Sequence, residues 1–176
     1  MGGTVNIIGQ GVGIIAFIVM FGAYQMNTSK KLLFVQTVAI ACFCVHYLLI
    51  GEIPGFALNV VCIVRNVIFY HKDKKFFAWK LWPYVLAVVM LGLGILTWDK
   101  WYSVLLIIGL TVNTVCMSLP TSQGIRKSLL VTCPPVLVYN ICALSIGGII
   151  NESLSIISSV IGIVRYAKSE GQRADK

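Results

Sequence analysis

Apolar residues along this chain fall into long runs that short polar segments interrupt. Each run extends over roughly 15 to 20 residues, which is about the length that a helix needs to cross the hydrocarbon core of a bilayer. No run alternates strictly between apolar and polar positions, as the strands of a membrane barrel do. The pattern therefore predicts an all-α membrane protein with seven transmembrane helices.

Polar breaks between the runs give the expected bounds of these helices. The first run has no basic residue before it, which predicts a retained helix and not a cleaved signal peptide. A pair of prolines is expected to break the hydrogen-bond ladder of the sixth helix and kink it. The predicted helices cover residues 5–24, 32–50, 56–70, 83–97, 102–119, 128–144 and 152–167.

Polar positions recur at a near-constant spacing, which indicates a diverged internal duplication. His46 and Tyr139 lie 93 residues apart, and Arg65 and Arg165 lie 100 apart. The difference of seven is about two helical turns, so it preserves the face on which each residue lies. The predicted organisation is a first three-helix repeat (1–71), a basic loop with a linker helix (72–101), a second three-helix repeat (102–168) and a polar tail (169–176). The linker helix makes the repeats parallel, as in some secondary transporters.

Composition and charge support a membrane protein and orient it. Hydrophobic residues make up 58% of the chain and charged residues 11%, against about 25% charged in soluble domains. The net charge of +8 reflects basic residues in alternate loops, so nucleic-acid binding is not expected. By the positive-inside rule the N-terminus is outside and the C-terminus in the cytoplasm. Lys100 alone is basic on the outer side; the inner side carries Lys30, Lys31, Lys72, Lys74, Lys75, Lys80, Arg126, Lys127, Lys168, Arg173 and Lys176.

Polar side chains within the apolar runs are the candidate binding residues, because each needs a partner in the hydrocarbon. Asn59 and Ser159 each precede an arginine by six residues, which predicts that both lie at the axis between the repeats. The alternative to solute binding is a structural role for these side chains. His46 would then be satisfied by a neighbouring helix, and the amides and hydroxyls would only form hydrogen bonds between helices. The predicted solute-binding residues are His46, Asn59, Asn113, Tyr139, Asn140 and Ser159.

Arginines and prolines near helix ends are candidate gates and hinges. Arg65 and Arg165 could form an inner gate, or could extend to the cytoplasmic headgroups as long cationic side chains do. Pro120, Pro134 and Pro135 could be hinges, although prolines also occur in static membrane helices.

The sequence shows no enzymatic constellation and implies no cofactor. All acidic residues are expected in loops or the tail, which leaves no embedded carboxylate pair. The six cysteines lack the spacing of a metal or redox site and are expected to pack as small hydrophobes. His46 is the one titratable side chain expected inside the membrane, so facilitated or weakly coupled transport is favoured.

Three stretches resemble the YgjV family of bacterial inner membrane proteins. They are residues 9–17 (Gly9-Gln10-Gly11 onward), residues 45–51 around His46, and Ser145-Ile146-Gly147-Gly148 with the later Ile163-Val164-Arg165. The family's layout is similar to that of SWEET and PQ-loop transporters and of the KDEL receptor. This resemblance implies a carrier of small solutes in the inner membrane, and it implies no substrate.

Two functional hypotheses follow from the sequence. One is an alternating-access carrier or uniporter for a small polar metabolite. The other is a non-transporting receptor or assembly protein on the same fold. The expected partners are the lipid bilayer and a small polar solute, with homo-oligomerisation left open.

Overall fold

The computed structural model describes residues 2–24, 26, 29–118 and 122–174 of the chain. All regular secondary structure in these residues is helical. The helices are Gly2–Tyr24 (α1), Ser29–Leu49 (α2), Ile53–Tyr70 (α3), Trp82–Leu96 (α4), Ser103–Cys116 (α5), Ser122–Cys142 (α6) and Ile146–Ala174 (α7). Each overlaps one predicted helix, so the all-α class and the order of helices are confirmed.

The predicted start of the last helix was wrong by six residues. The last helix was expected to begin at Glu152, yet α7 begins at Ile146 because Ser145 caps it. The Ser145 hydroxyl oxygen accepts a hydrogen bond from the backbone N–H of Gly148 at 3.2 Å, as an N-terminal cap does. Glu152 consequently lies inside α7, which corrects the expectation that all acidic residues are in loops or the tail.

The double proline does not interrupt the sixth helix. Pro134 and Pro135 both lie inside α6, which is continuous from Ser122 to Cys142. A proline removes its own N–H from the ladder, but the bonds on either side remain available to hold the helix together. The two missing N–H groups therefore do not end the helix, which continues to Cys142. Pro120 lies outside the described residues.

The helices pack in a ring with α4 on its outside. In chain order α1 contacts α2, and α2 contacts α3; α5 contacts α6, and α6 contacts α7. Contacts of α1 with α7 and of α3 with α5 close the ring, and α4 packs against α3 and α5. We refer to α1–α3 as the first half and to α5–α7 as the second half.

Ion pairs and hydrogen bonds show which connections share an end of the ring. Glu52, before α3, pairs with Lys100, before α5, so we call this the Glu52 end. Lys30, in the first turn of α2, pairs with Asp73 in the α3–α4 loop at 2.7 Å, and we call this the basic end. The Lys30 ammonium lowers the pKa of the exposed Asp73 carboxyl by donating a hydrogen bond to it.

The outward surface of the ring is apolar. Ile7, Leu96 and Val131 are 73%, 82% and 70% exposed, which is costly in water and favourable in lipid. Within the described part of the chain, four helical segments are long and apolar enough to cross a membrane: Asn6–Ala23, Lys30–Leu49, Ile53–Tyr70 and Ile146–Tyr166. The helices α4 and α5 are shorter apolar helices.

Candidate functional site

His46 joins the two halves of the ring near the Glu52 end. Its side chain is fully buried, with Nδ1 2.7 Å from the Gly9 carbonyl oxygen and Nε2 2.7 Å from the Ser145 hydroxyl. A carbonyl only accepts, so Nδ1 carries the hydrogen and Nε2 accepts from the serine. The absence of a side chain at Gly13 makes room for the imidazole, since a Cβ there would lie 2.7 Å from Nδ1.

Tyr47 and Tyr139 make two further connections between the halves. The Tyr47 hydroxyl donates to Oδ1 of Asn140 at 2.7 Å, and the Tyr139 hydroxyl donates to Oε2 of Glu52 at 3.2 Å. All four side chains are buried. The sequence singled out Tyr139 and Asn140 as binding residues, and here they bond to protein partners across the ring.

Glu52 is a buried carboxylate that also receives two donors from the α4–α5 connection. Lys100 Nζ lies 2.7 Å and the Tyr102 hydroxyl 3.0 Å from its Oε1. The hydrogen bond from Lys100 to this carboxylate raises the pKa of the lysine. Glu52 is only 3% exposed although it lies between helices, where a glutamate ordinarily faces solvent.

The bonded positions reproduce the spacing found in the sequence. Tyr47 and Asn140, which bond to each other, are separated by 93 residues. His46 and Tyr139 have the same separation, and so have Glu52 and Ser145. His46 of the first half bonds to Ser145 of the second half. Their matching positions, Tyr139 and Glu52, bond to each other in the same way.

The two turns at this end also match each other in backbone geometry. The N–H of Glu52 bonds the Tyr47 carbonyl at 2.9 Å, and the N–H of Ser145 bonds the Asn140 carbonyl at 2.9 Å. Gly51 and Leu144 both have positive φ, at 81° and 55°. Such a residue after a helix, followed by a bond back across the last turn, is the usual way to end a helix before a sharp reversal.

Gln10 completes the contact between α1 and the second turn. Its Nε2 donates to the Leu144 carbonyl at 2.6 Å, and its Oε1 accepts from the backbone N–H of Ile146 at 3.0 Å. Gly147 lies directly on the backbone of Gly13, where a Cβ would overlap the carbonyl. This close approach of two backbones holds the start of α7 against α1.

A second polar network surrounds Arg65 in the half of the ring toward the basic end. The guanidinium donates to Oδ1 of Asn66 from Nε and Nη2, both at 3.2 Å. Its Nη1 donates to Oδ1 of Asn113 at 3.3 Å and to Oγ1 of Thr114 at 3.2 Å. Arg65 is 3% exposed, so the interpretation that it extends to the headgroups is wrong.

This network continues to helices on both sides of Arg65. Asn66 donates to Gln36 of α2 at 3.3 Å, and Asn113 donates to Thr132 of α6 at 3.4 Å. Thr114 donates to the Met90 sulfur of α4 at 3.2 Å. Because it also accepts from Arg65 of α3, the predicted residue Asn113 links the two halves.

Arg165 occupies a different environment from Arg65. It is exposed and lines a cleft of about 390 Å³ between α6 and α7. Arg126 of α6 lies across this cleft and donates to the Gly162 carbonyl at 3.4 Å. The cleft is lined by Arg126, Ser158, Ile161, Gly162, Arg165 and Tyr166.

Asn59 and Ser159 bond within their own helices. The Asn59 amide donates to the Gly55 carbonyl at 2.7 Å, and the Ser159 hydroxyl donates to the Ser155 carbonyl at 2.7 Å. Both bonds span four residues. Among the described residues, no hydrogen bond joins either side chain to the opposite half.

Sequence reasoning missed several members of the two networks. The 93-residue spacing, once it is applied to every polar residue of the turns, indicates Tyr47, Glu52 and Ser145 as matching positions, although it does not predict that Glu52 is buried. Gln36 and Thr114 have no comparable signal, because single polar residues in apolar helices are common.

The comparisons with known proteins agree with this membrane-like architecture. The sequence profile of Imp-YgjV, described as "Bacterial inner membrane protein", matches residues 7–170. The chain belongs to this family. It is similar to the inner membrane protein YgjV of Escherichia coli (strain K12), with 23% identity over 167 residues that cover 94% of this chain and 88% of that protein. No solved structure matches the chain significantly.

Membership of the Imp-YgjV family makes the chain a multi-pass protein of the bacterial inner membrane. Its buried polar groups are then shielded from water by lipid as well as by protein, which raises the cost of leaving any of them unbonded. The two networks meet this requirement almost completely. Among the described residues, the Thr111 hydroxyl is the one fully buried side-chain polar atom without a hydrogen-bond partner.

Proposed function

We propose that this Imp-YgjV family protein is an alternating-access carrier or uniporter for a small polar metabolite, and not an enzyme. The observation that carries the proposal is the way in which the two halves meet. Near the Glu52 end and again toward the basic end they are joined by hydrogen bonds between buried side chains. Such bonds have modest net strength, about 0.5–1.5 kcal/mol each, so a bound solute can compensate for their loss.

The proposed architecture is two parallel three-helix repeats joined by α4, with all seven helices crossing the membrane. Matching bonds between positions 93 residues apart support the duplication, as do the matching turns at Gly51 and Leu144. The excess of basic residues at the basic end supports an extracytoplasmic N-terminus and a cytoplasmic C-terminus.

In this proposal the polar residues between the halves form the solute path. His46, Tyr139 and Asn140 close it at the Glu52 end, and Asn113 with Arg65 closes it nearer the basic end. Asn59 and Ser159 exchange their local bonds for solute when the path opens. Arg165 acts as the gate toward the basic end, and Pro120 together with Pro134 and Pro135, which lie inside α6, are the proposed hinges.

The test is the accessibility of a cysteine placed between the halves. Asn113→Cys is made in a background in which the six native cysteines are replaced, and intact membranes and inverted vesicles are treated with a membrane-impermeant thiol reagent. A carrier exposes position 113 to each side in turn, so labelling is expected from both faces. Val131→Cys, on the exposed outward surface of α6, is the control that lipid shields from both faces.

Labelling from one face alone, under every condition, would contradict the carrier. That result would favour a receptor or assembly protein, which can stay closed on one side. Labelling of Val131→Cys from both faces would show instead that α6 does not face lipid, and would contradict the proposed transmembrane arrangement.

A further inference from the structure

The charge of Arg65 has no acidic partner among the residues that the structure describes. All of its hydrogen-bond acceptors are the amide oxygens of Asn66 and Asn113 and the hydroxyl of Thr114. The ion pairs among the described residues involve Lys30 and Lys100. A buried cation held only by neutral groups is costly, because the protein interior is a poor substitute for water.

The position of Arg65 within its helix increases this cost. It follows the start of α3 by twelve residues and precedes its end by five, which places its Cα about 18 Å and 8 Å from those ends. The Ile53–Tyr70 segment is one of the candidate membrane spans. An ionisable residue at such a depth is usually functional and faces a partner inside the bundle.

The hydrogen bonds of the guanidinium are long and incomplete. They measure 3.2–3.3 Å, whereas bonds from a cationic nitrogen to an anionic oxygen are about 2.7–2.9 Å. One hydrogen on Nη2 has no acceptor among the described residues. Thr111 precedes Thr114 by one turn on the same side of α5, and its buried hydroxyl is also unpartnered.

The cleft at the basic end also carries positive charge. Its two charged lining residues are both arginines, and Ser158 adds a hydroxyl. The bare backbone of Gly162 lets the Arg126 guanidinium lie against α7, since a Cβ there would be 2.7 Å from its Nε. A solute that reaches the ring from this end therefore first meets two cationic side chains.

We infer that the solute is a small organic or inorganic anion, a carboxylate or a phosphate, and that Arg65 is its counter-charge inside the ring. This inference rests on the proposed carrier function. The anion replaces Asn113 and Thr114 as the acceptor of the Arg65 N–H groups. Since Arg65 belongs to the first half and those acceptors to the second, binding also releases a connection between the halves.

The binding test uses thermal unfolding of the purified full-length protein in detergent. The probes are sodium phosphate and disodium succinate, with sodium chloride at matched ionic strength and xylitol as the neutral solute. The wild type is expected to be stabilised by phosphate or succinate beyond the chloride control, and not by xylitol. Arg65→Met is expected to weaken the anion response at least about tenfold in apparent affinity, whereas Lys127→Met, which removes an exposed charge, leaves it unchanged.

Asn113→Asp tests the same idea by a gain of stability. An aspartate at 113 supplies the missing counter-charge beside Nη1 of Arg65, so the variant is expected to unfold at a higher temperature than the wild type. Its response to phosphate and succinate is expected to be lost. Because this variant does not remove a polar group, it remains informative if Arg65→Met fails to fold.

The outcomes separate the anion site from the carrier. An anion response that is unaltered in Arg65→Met and Asn113→Asp, or absent from the wild type, would overturn the inference. Uptake of the same probes into proteoliposomes is measured in parallel. Anion binding at Arg65 without uptake would support the anion site and reject the carrier. Uptake of xylitol but of neither anion would reject the anion site and support the carrier.

Discussion

Ser145 occupies a position where two hydrogen-bond requirements meet. Its hydroxyl donates to Nε2 of His46 and accepts from the backbone N–H of Gly148. One small side chain therefore caps α7 and satisfies a buried imidazole of α2. The two roles are inseparable in the sequence, where this serine is simply a loop residue before two glycines.

Ser145→Ala is expected to destabilise the protein by about 1–3 kcal/mol, since it leaves Nε2 of His46 buried without a donor. The measurement is the free energy of unfolding in mixed micelles as the denaturing detergent is increased. Ser118→Ala, at an exposed serine that bonds within its own turn, is the matched control and should change stability little. Equal effects of the two substitutions would contradict the assigned role of Ser145.

The ion pair of Glu52 with Lys100 gives a residue-scale prediction for pH. The pKa of Lys100 is raised above its ordinary value of 10.5 by the hydrogen bond to Glu52. The stabilisation is then fully present below pH 10.5 and is lost as the pH rises through the higher pKa of the folded state. Its side chain is 43% exposed, so we expect a coupling of only about 1 kcal/mol or less.

The check is a double-mutant cycle with Lys100→Met and Glu52→Gln, followed by unfolding from pH 7 to pH 11. The coupling should be constant to about pH 10 and diminish above it. A coupling energy that increases with rising pH would be the opposite pH dependence. It would show that the carboxylate does not stabilise the charged form of Lys100.

At the scale of elements, contacts between helices depend on where side chains are absent. Gly13 gives space to His46, and Gly147 lies on the backbone of Gly13. Gly55 and Gly148 are positions 93 residues apart, and they give space to Tyr47 and Asn140 respectively. Small residues let membrane helices approach closely, and here they also admit the polar side chains that join the halves.

Gly147→Ala is expected to destabilise the protein by about 1–3 kcal/mol, because its methyl group would overlap the Gly13 carbonyl and push α7 away from α1. Gly11→Ala is the matched control, since a Cβ at Gly11 meets no neighbouring atom and alanine favours the helix by up to about 1 kcal/mol. Thermal unfolding of both variants checks the prediction. A stable Gly147→Ala protein would mean that α1 and α7 do not meet as described.

At the scale of the whole molecule, the ring is joined by bonds near the Glu52 end and by the Arg65 network toward the basic end. In an alternating-access carrier these two sets of bonds oppose each other. Weakening one set should favour the state in which that end is open and the other is closed. The equilibrium between the states then reports on both networks at once.

Tyr47→Phe removes the bond to Asn140 and is expected to open the Glu52 end. Losing about 1 kcal/mol should change the ratio of the two states about fivefold. Spin-label distances between positions 53 and 146 at the Glu52 end, and between 34 and 131 toward the basic end, measure the states. The first distance should lengthen as the second shortens; the same direction at both ends would contradict alternating access.

The sequence was most informative where a pattern repeats. Helix number, membrane class and family follow from the apolar runs and quoted motifs, and His46, Tyr139 and Asn140 were selected as polar side chains within those runs. The burial of Arg65 and Glu52 was not predictable, because an arginine near a helix end and a glutamate in a turn ordinarily face solvent or headgroups. What buries them is tertiary: acceptors on α5 and donors from the α4–α5 connection, distant in the chain.

The contact of Gly147 with Gly13 has a mechanical consequence. It fixes α7 near one end, while the remainder of this 29-residue helix extends away as a lever arm. Arg165 lies about 27 Å along the helix axis from Gly147, so tilting α7 by about 10° around the contact would carry Arg165 through roughly 5 Å. A rotation of α7 toward or away from α6 that keeps the contact of Gly147 with Gly13 would thus change the width of the arginine-lined cleft by more than the diameter of a water molecule.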